Sequence, residues 1–507
     1  MKRSAIILGI AVLCAFAAPA KQTRAEATDS LKEIRDKASA GDPAALNEAG
    51  MWYYTGRHVA KDYKKAVKFW EEASKKGSVL AIGNLGLCYQ YGHGVAADSL
   101  KAAKFYTLSL QKGNKALMPA IRKSADEGNV FSAVFAAHCL LNGIGTPKDN
   151  NAAVAYLKAA ARRGSERAQF DLGKMYLKSD KLSEAYKYLE MAAGHNNVEA
   201  IYYCGRMLQE GNGVAKNPAQ GANYMLRAAE AGYPLAEYRL GKAYMEGYGL
   251  NKNVDAAAQW LLKGAMGGVK DAQFEIALCY ATGTGVDQNF ENATSWFAQA
   301  VAQGEGNAFK AEFAPGGRLA GSLYQTYLYA LKAYAASDFK TLKKHIKTLH
   351  KAKISDAETI EGMMLSNKGF SGHNEKKAIK ALSQAAANGN AYAKYIIGRM
   401  YEQGNGFDKD YDTAILYLTE AADENCAQAA IYLGNMYFEG RGVDRNLTKA
   451  LDYYMKAEGR LDNEAATRIA EICKTYTCPA LPYGDDSIKN TNPMSNITRL
   501  LDLVPTI

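Results

Sequence analysis

The chain has 507 residues, of which 48% are hydrophobic and 22% charged, and a formal net charge of +10. A length of this kind ordinarily suggests several globular domains, and the mild, dispersed positive charge argues against a dedicated nucleic-acid binder. Beyond the first twenty residues no stretch is apolar for long enough to span a bilayer.

In chain order, the first feature is a leader. Lys2 and Arg3 precede an apolar run over 5–18, and Ala18-Pro19-Ala20 supplies a small-x-small cleavage site. That is the pattern of a secretory signal peptide over residues 1–20. Leu13 stands before Cys14 where a lipoprotein signal needs a small residue, so ordinary cleavage near Ala20 is expected, giving an exported protein, periplasmic or secreted. Ser30-Leu31-Lys32-Glu33 then reads as a capping box that opens a capping helix, Ser30 to Ala40.

A repeat follows. Small residues recur at Gly50, Gly86, Ala137, Gly173, Gly205, Gly241, Ala277, Gly362, Gly398 and Gly434, mostly in steps of 36. Counting each as position 0, alanine falls at −5 and +16, and tyrosine or leucine at +3, a spacing that keeps one helix face apolar. Glycines at +6 and +8, such as Gly440 and Gly442, end a first helix, and a glycine at +27 ends a second. Large residues at +19 and +20, such as Phe69-Trp70 and Tyr453-Tyr454, fill space towards the next unit. One hairpin cannot enclose its own apolar face, so units must stack. The expected fold is all-α, an αα-hairpin solenoid of about ten repeats with a helical insert.

The departures from the period set the organisation. A capping helix and seven repeats occupy 28–304, with an extra, unpartnered helix near 117–127 that should kink the array, and a turn at 178–182 four residues short. The insert at 305–356 opens with Pro315-Gly316-Gly317 and should carry two longer helices, Leu319 to Ala335 and Phe339 to Lys351. Three repeats and a terminal capping helix, Glu464 to Tyr476, fill 357–478, before an irregular tail at 479–507.

The order Leu-Gly-x-x-Tyr-x-x-Gly-x-Gly-Val, then Lys-Ala and an aromatic pair, resembles the Sel-one-like repeat, a relative of the tetratricopeptide repeat. The resemblance covers ten units and implies a superhelical scaffold or adaptor that assembles protein complexes. Some secreted, cysteine-rich bacterial members are described as penicillin-binding or β-lactamase-like. In tetratricopeptide arrays the positions equivalent to −3, +1 and +4 line the concave face. Carried over, −3 is Phe170, Tyr202, Tyr238, Phe274 and Tyr395, and +1 is Lys174, Arg206, Lys242 and Arg399. Such aromatic and cationic ladders suit an extended peptide with carboxylates, or an acidic cell-envelope polysaccharide. The alternative is that the rings pack on the preceding repeat and the cations are ordinary solvated positions.

Other candidate chemistry is sparse. Cys88, Cys139 and Cys279 at +2, and Cys204 at −1, fall on the buried helix face as small apolar residues, too far apart to pair. Cys473 and Cys478 precede Pro479 and are the pair placed for a disulfide, with two free thiols the alternative. Ser337-Asp338-Phe339-Lys340 matches the Ser-x-x-Lys of penicillin-recognising enzymes but lacks the companion elements, so it reads as a helix N-cap. The histidines lack metal-ligand spacing, and His93 is expected in a solvated turn. Lys340, Lys343, Lys344, Lys347, Lys351 and Lys353 load an amphipathic basic helix, read as a solvated face over a small core, with docking to an acidic partner or an anionic surface the alternative. The expectation is a non-enzymatic scaffold with a protein or peptide partner and no cofactor, metal or nucleic acid; a polysaccharide binder and a β-lactamase-like hydrolase are the alternatives.

Overall fold

The computed structural model describes residues 24–424, 426–457, 468–469 and 471–472. The leader, the Cys473–Cys478 pair, most of the terminal capping helix and the tail lie outside the described residues. Among the described residues no helix is long and apolar enough to cross a membrane.

The fold is an all-α solenoid of αα-hairpins, as the period requires. The first full hairpin is typical: helix Pro43–Thr55, a turn, then helix Tyr63–Lys75. Asp42 caps the first helix by accepting from the Ala45 N–H, and Asp62 caps the second by accepting from the Lys65 N–H. The same device recurs at +12, where Asp98, Asp149, Asn217, Asn253, Asn289, Asn374 and Asp410 each accept a backbone N–H of the helix they open. Each short polar side chain satisfies a donor that the helix terminus leaves orphaned. These caps are a repeat position that the apolar pattern does not reveal.

Packing explains position 0. The Trp70 and Tyr454 side chains at +20 are completely buried, and a Cβ on Gly50 or Gly434 would sit 2.5 Å from the respective ring. Only glycine admits an aromatic ring that close to the backbone. The alanines at −5 and +16 are buried as expected, nearly all at 0% exposure, so helix contacts rest on small residues. The residue at +19 points the other way and stacks on the +3 tyrosine: Tyr53–Phe69, Tyr89–Phe105 and Tyr437–Tyr453 pair at 5.4–5.7 Å. The two adjacent aromatics therefore have separate jobs, one in the core and one on a half-exposed outer seam.

The chain divides into two compact units. One comprises the described residues up to Met207, with Gly211–Ala215; the other takes Leu208–Glu210 and the described residues from Lys216. The boundary falls within one repeat, while the insert lies wholly inside the second unit.

Several local readings need correction. The N-terminal helix is Arg24–Ser39, so Ser30 lies within it and the expected capping box is not its start. The extra helix, Leu117–Asp126, does have a partner: it packs on helix Val130–Asn142 as the second helix of a preceding unit would. Gly128 after it has φ 96, like the +27 glycines, so this is half a repeat that has lost its first helix. Helix Leu323–Ala335 begins at the Ser322 cap, later than the Leu319 expected, and pairs with Phe339–Lys351. A short helix, Gly306–Glu312, precedes them. In the basic helix Leu342, Ile346 and Leu349 are buried while its five lysines, and Lys353 just beyond it, are exposed, the solvated-face arrangement.

Candidate functional site

The invariant positions are consumed by packing, so any recognition surface must come from the residues between them. In the first compact unit, Phe170 and Tyr202 at −3 are buried, at 9% and 5% exposure. Lys174 at +1 lies 5.2 Å over the Phe170 ring and donates to Glu199 Oε1 of the next unit at 2.8 Å. That hydrogen bond holds the Lys174 ammonium above its usual pKa. Arg206 lies 5.1 Å over Tyr203.

In the second unit, Phe274 is 7% exposed and packs edge-on against Phe297 at 5.2 Å. Tyr238 and Tyr395 are half-buried. Lys242 bridges Glu246 at 3.2 Å and Glu275 of the next unit at 3.1 Å. Burial works against its charge, yet the two carboxylates still hold its pKa above the ordinary value. The −3 rings are thus mostly packed, three of the five being buried, and the +1 cations at Lys174 and Lys242 serve as ties between successive first helices.

Arg399 differs. Its guanidinium lies 5.5 Å from the Tyr395 ring and 5.4 Å from the Tyr432 ring, and Nη1 donates to the Tyr395 hydroxyl at 3.3 Å. The Tyr432 hydroxyl donates to Glu402 Oε2 at 2.9 Å, while Arg441 Nη1 donates to Glu402 Oε1 at 3.0 Å.

A second relation between units went unseen in the sequence. The residue between the two turn glycines, at +7, reaches back to +4 of the preceding unit. His93 Nδ1 is 2.8 Å from the Tyr54 hydroxyl, Tyr248 donates its hydroxyl proton to the Gln209 carbonyl at 2.7 Å, and Arg441 meets Glu402. His93 is therefore not a solvated turn residue. Its ring stacks on Tyr63 at 4.4 Å, and burial, with Lys61 nearby, holds the imidazole below its usual pKa. The signal was present as the fixed spacing, but histidine, tyrosine and arginine share no residue type that would mark it.

The insert creates the most unusual chemistry. Asp356, 4% exposed, accepts from the Phe290 N–H at 3.3 Å and from Asn390 Nδ2 at 3.1 Å. Asn390 itself caps helix Ala391–Gln403. Glu291 lies beside the Tyr392 backbone N–H, which favours its charged form. Two carboxyl groups thus serve helix N-termini from three separate stretches, where the helix dipole favours negative charge. Burial outweighs that help: it pushes Asp356 up to about 6 and, with repulsion from Asp356, pushes Glu291 up to about 8. A cleft of about 480 Å³ lies alongside, lined by Tyr280, Asp287, Asn289, Ser355, Asn388 and Asn390 among others.

Cys88, Cys139 and Cys279 are buried free thiols, each pushed up to about 12 by burial, consistent with their use as apolar side chains. In the Ser337–Lys340 motif, Asp338 is the N-cap and accepts from the Thr341 N–H at 3.1 Å. Among the described residues no three histidine, cysteine or acidic side chains cluster as metal ligands.

Comparison with known proteins agrees with this architecture. The Sel1 repeat profile matches residues 43–78, 79–114, 131–165, 166–197, 198–233, 234–269, 270–305, 391–426 and 427–457. The unit around Gly362 lies outside these matches although it folds as one, with a Cβ on Gly362 falling 2.6 Å from Leu382. Its glycines sit at 369 and 372 rather than at +6 and +8, which removes the turn signature. Among solved structures, a protective antigen of uropathogenic Escherichia coli displaying an SLR fold is 22% identical, with 91% of this chain and 99% of that chain covered and a TM-score of 0.39. A Sel1 repeat protein from Oxalobacter formigenes is 29% identical, with 60% and 83% covered and a TM-score of 0.35. No curated protein sequence matches the chain.

Proposed function

Because the chain belongs to the Sel1 repeat family, whose members are typically protein-interaction scaffolds, we propose that it is a non-enzymatic, exported scaffold that binds protein or peptide partners along its first helices. The observation that carries this reading is the division of labour within each repeat. Positions −5, 0, +16 and +20 are consumed in the core, while the first helices lie side by side and present half-buried tyrosines and cations that vary from unit to unit. Variation over a fixed frame is how a repeat array acquires a partner. Export rests on Lys2, Arg3 and the Ala18-Pro19-Ala20 site, and predicts a mature protein beginning at Lys21.

The test places a photo-crosslinking residue at Lys242 or Lys394, on first helices, and at the exposed Lys104 on a second helix. Protein adducts from the first two positions and not the third are expected. Equal adducts from all three, or none, would remove the reading. The outer seam favours one secondary reading, a polysaccharide surface. There the Tyr53–Phe69, Tyr89–Phe105 and Tyr437–Tyr453 pairs are half-exposed, and Lys65, Lys101 and Lys449 lie 5.1–5.4 Å over the tyrosine rings. A β-lactamase-like activity is addressed by nitrocefin turnover, which is expected to be absent.

A further inference from the structure

Equivalent positions within one chain expose a missing group. Lys242 at +1 reaches Glu275, which occupies −2 of the next unit. Lys174 has Tyr203 at that position and takes Glu199 at −6 instead, whereas Arg399 has Tyr432 at −2 and Gln428 at −6, with an acid at neither. The nearby acid, Glu402, is already engaged by Arg441 and the Tyr432 hydroxyl. Among the described residues no carboxylate pairs with Arg399, and its Nε lacks an acceptor. A half-buried guanidinium held between two rings retains its charge and several fixed donors, and its strongest complement is a carboxylate.

We propose that Arg399, framed by Tyr395 and Tyr432, is a subsite for a carboxylate carried by a peptide segment of a protein partner. The proposal rests on the protein-binding reading above and narrows it to one site and one functional group. A peptide is favoured over a sugar because guanidinium groups already approach these rings. Arg399 lies over both, and Arg441 lies 4.9 Å over Tyr432, so little open platform remains for a pyranose to stack on. A carboxylate on a flexible side chain or at a chain end needs no such platform.

The test uses the full chain and fluorescence anisotropy with three labelled probes: a short oligoglutamate with an amidated C terminus, the matching oligoglutamine amide, and oligoglutamine with a free C-terminal carboxylate. The oligoglutamate amide should bind more tightly than the oligoglutamine amide. Arg399→Gln should weaken it by at least about tenfold. Tyr432→Glu, which supplies internally the acid that Glu275 gives Lys242, should weaken it comparably. Arg227→Gln, at an exposed arginine 5.5 Å over Tyr224, should leave binding unchanged, and circular dichroism should show all variants folded. If free-carboxylate oligoglutamine binds best and also depends on Arg399, the subsite reads a chain end. Equal binding by wild type, Arg399→Gln and Tyr432→Glu would overturn the subsite, as would binding of an acidic oligosaccharide with none of the peptides. The crosslinking result separates the two levels, since adducts at Lys242 that survive Arg399→Gln leave the scaffold reading intact.

Discussion

The unit around Gly434 and the junction formed by residues 290–390 hold helices together by different means. At Gly434 the contact is a matter of shape: a missing Cβ, a buried tyrosine ring, and flanking Ala429 and Ala450 with no exposed surface. Its own two helices supply these parts, within a few turns of sequence. At the junction the ties are polar and distant, the Asp356–Phe290 hydrogen bond spanning 66 positions. The regular unit is stabilised by apolar packing with little dependence on conditions, whereas the junction holds two carboxyl groups whose pKa values burial raises above those in water.

The largest effect should come from filling the space at Gly434. Gly434→Val would place a Cβ 2.5 Å from the Tyr454 ring, an overpacking cost of about 3 kcal/mol or more. Hydrogen exchange in helix Ala427–Glu439 should accelerate strongly, while helix Val79–Tyr91 in the other compact unit should be unaffected. Tyr454→Leu should not relieve the clash, because a Cβ on Gly241, Gly362 or Gly398 would already lie 2.6–2.8 Å from the leucine at +20. Full recovery in the double variant would show that position 0 is set by shape at the ring alone.

The junction should respond to pH instead. Glu291 and Asp356 are raised in the folded chain, to about 8 and about 6, above their ordinary values of 4.5 and 3.8. Folding therefore retains protons that the unfolded chain releases. The associated stability is fully present below the unfolded values and is lost as pH rises through the folded ones. The groups facing the pair are Tyr327, Tyr392, Asn390 and Glu358. Calorimetry between about pH 5 and about pH 9 should show the melting transition of the second compact unit falling by several degrees. Glu291→Gln, neutral throughout, should flatten that slope. An unchanged slope would place the proton elsewhere. His93 has the opposite sign, since burial lowers its pKa, so its contact weakens on acidification.

These regions also mark what the sequence could reveal. Gly50, Ala66 and Trp70 were legible because the same residue types return at the same spacing, and repetition separates packing from accident. The +7 contacts were not, because His93, Tyr248 and Arg441 do the same job with different chemistry. Phe170, Tyr202 and Phe274 show the reverse case: the register placed them correctly on the first helices, but exposure depends on the neighbouring unit, and they are buried. Glu291 and Asp356 were invisible because the insert separates them in sequence while the fold brings them together.

The smallest predicted effect concerns the first unit, where His58 stands at the +8 position with φ 67, a backbone region that costs a non-glycine residue about 1 kcal/mol. Later units that keep the Gly-x-Gly turn need glycine there for two reasons. Gly94 has φ 77, and a Cβ on it would run into the Tyr63 carbonyl at the start of the preceding second helix. In the first unit the capping helix Arg24–Ser39 stands in the place of that second helix, and His58 is exposed beside it, so only the backbone demand remains. His58→Gly should relieve that demand but forfeit the edge contact of His58 with Trp52 at 5.4 Å, and gain chain entropy when unfolded. The net gain in urea unfolding should be no more than about 0.5 kcal/mol. Gly94→His, the same exchange reversed one unit later, should cost several times as much, because there the backbone conformation and the close approach fail together.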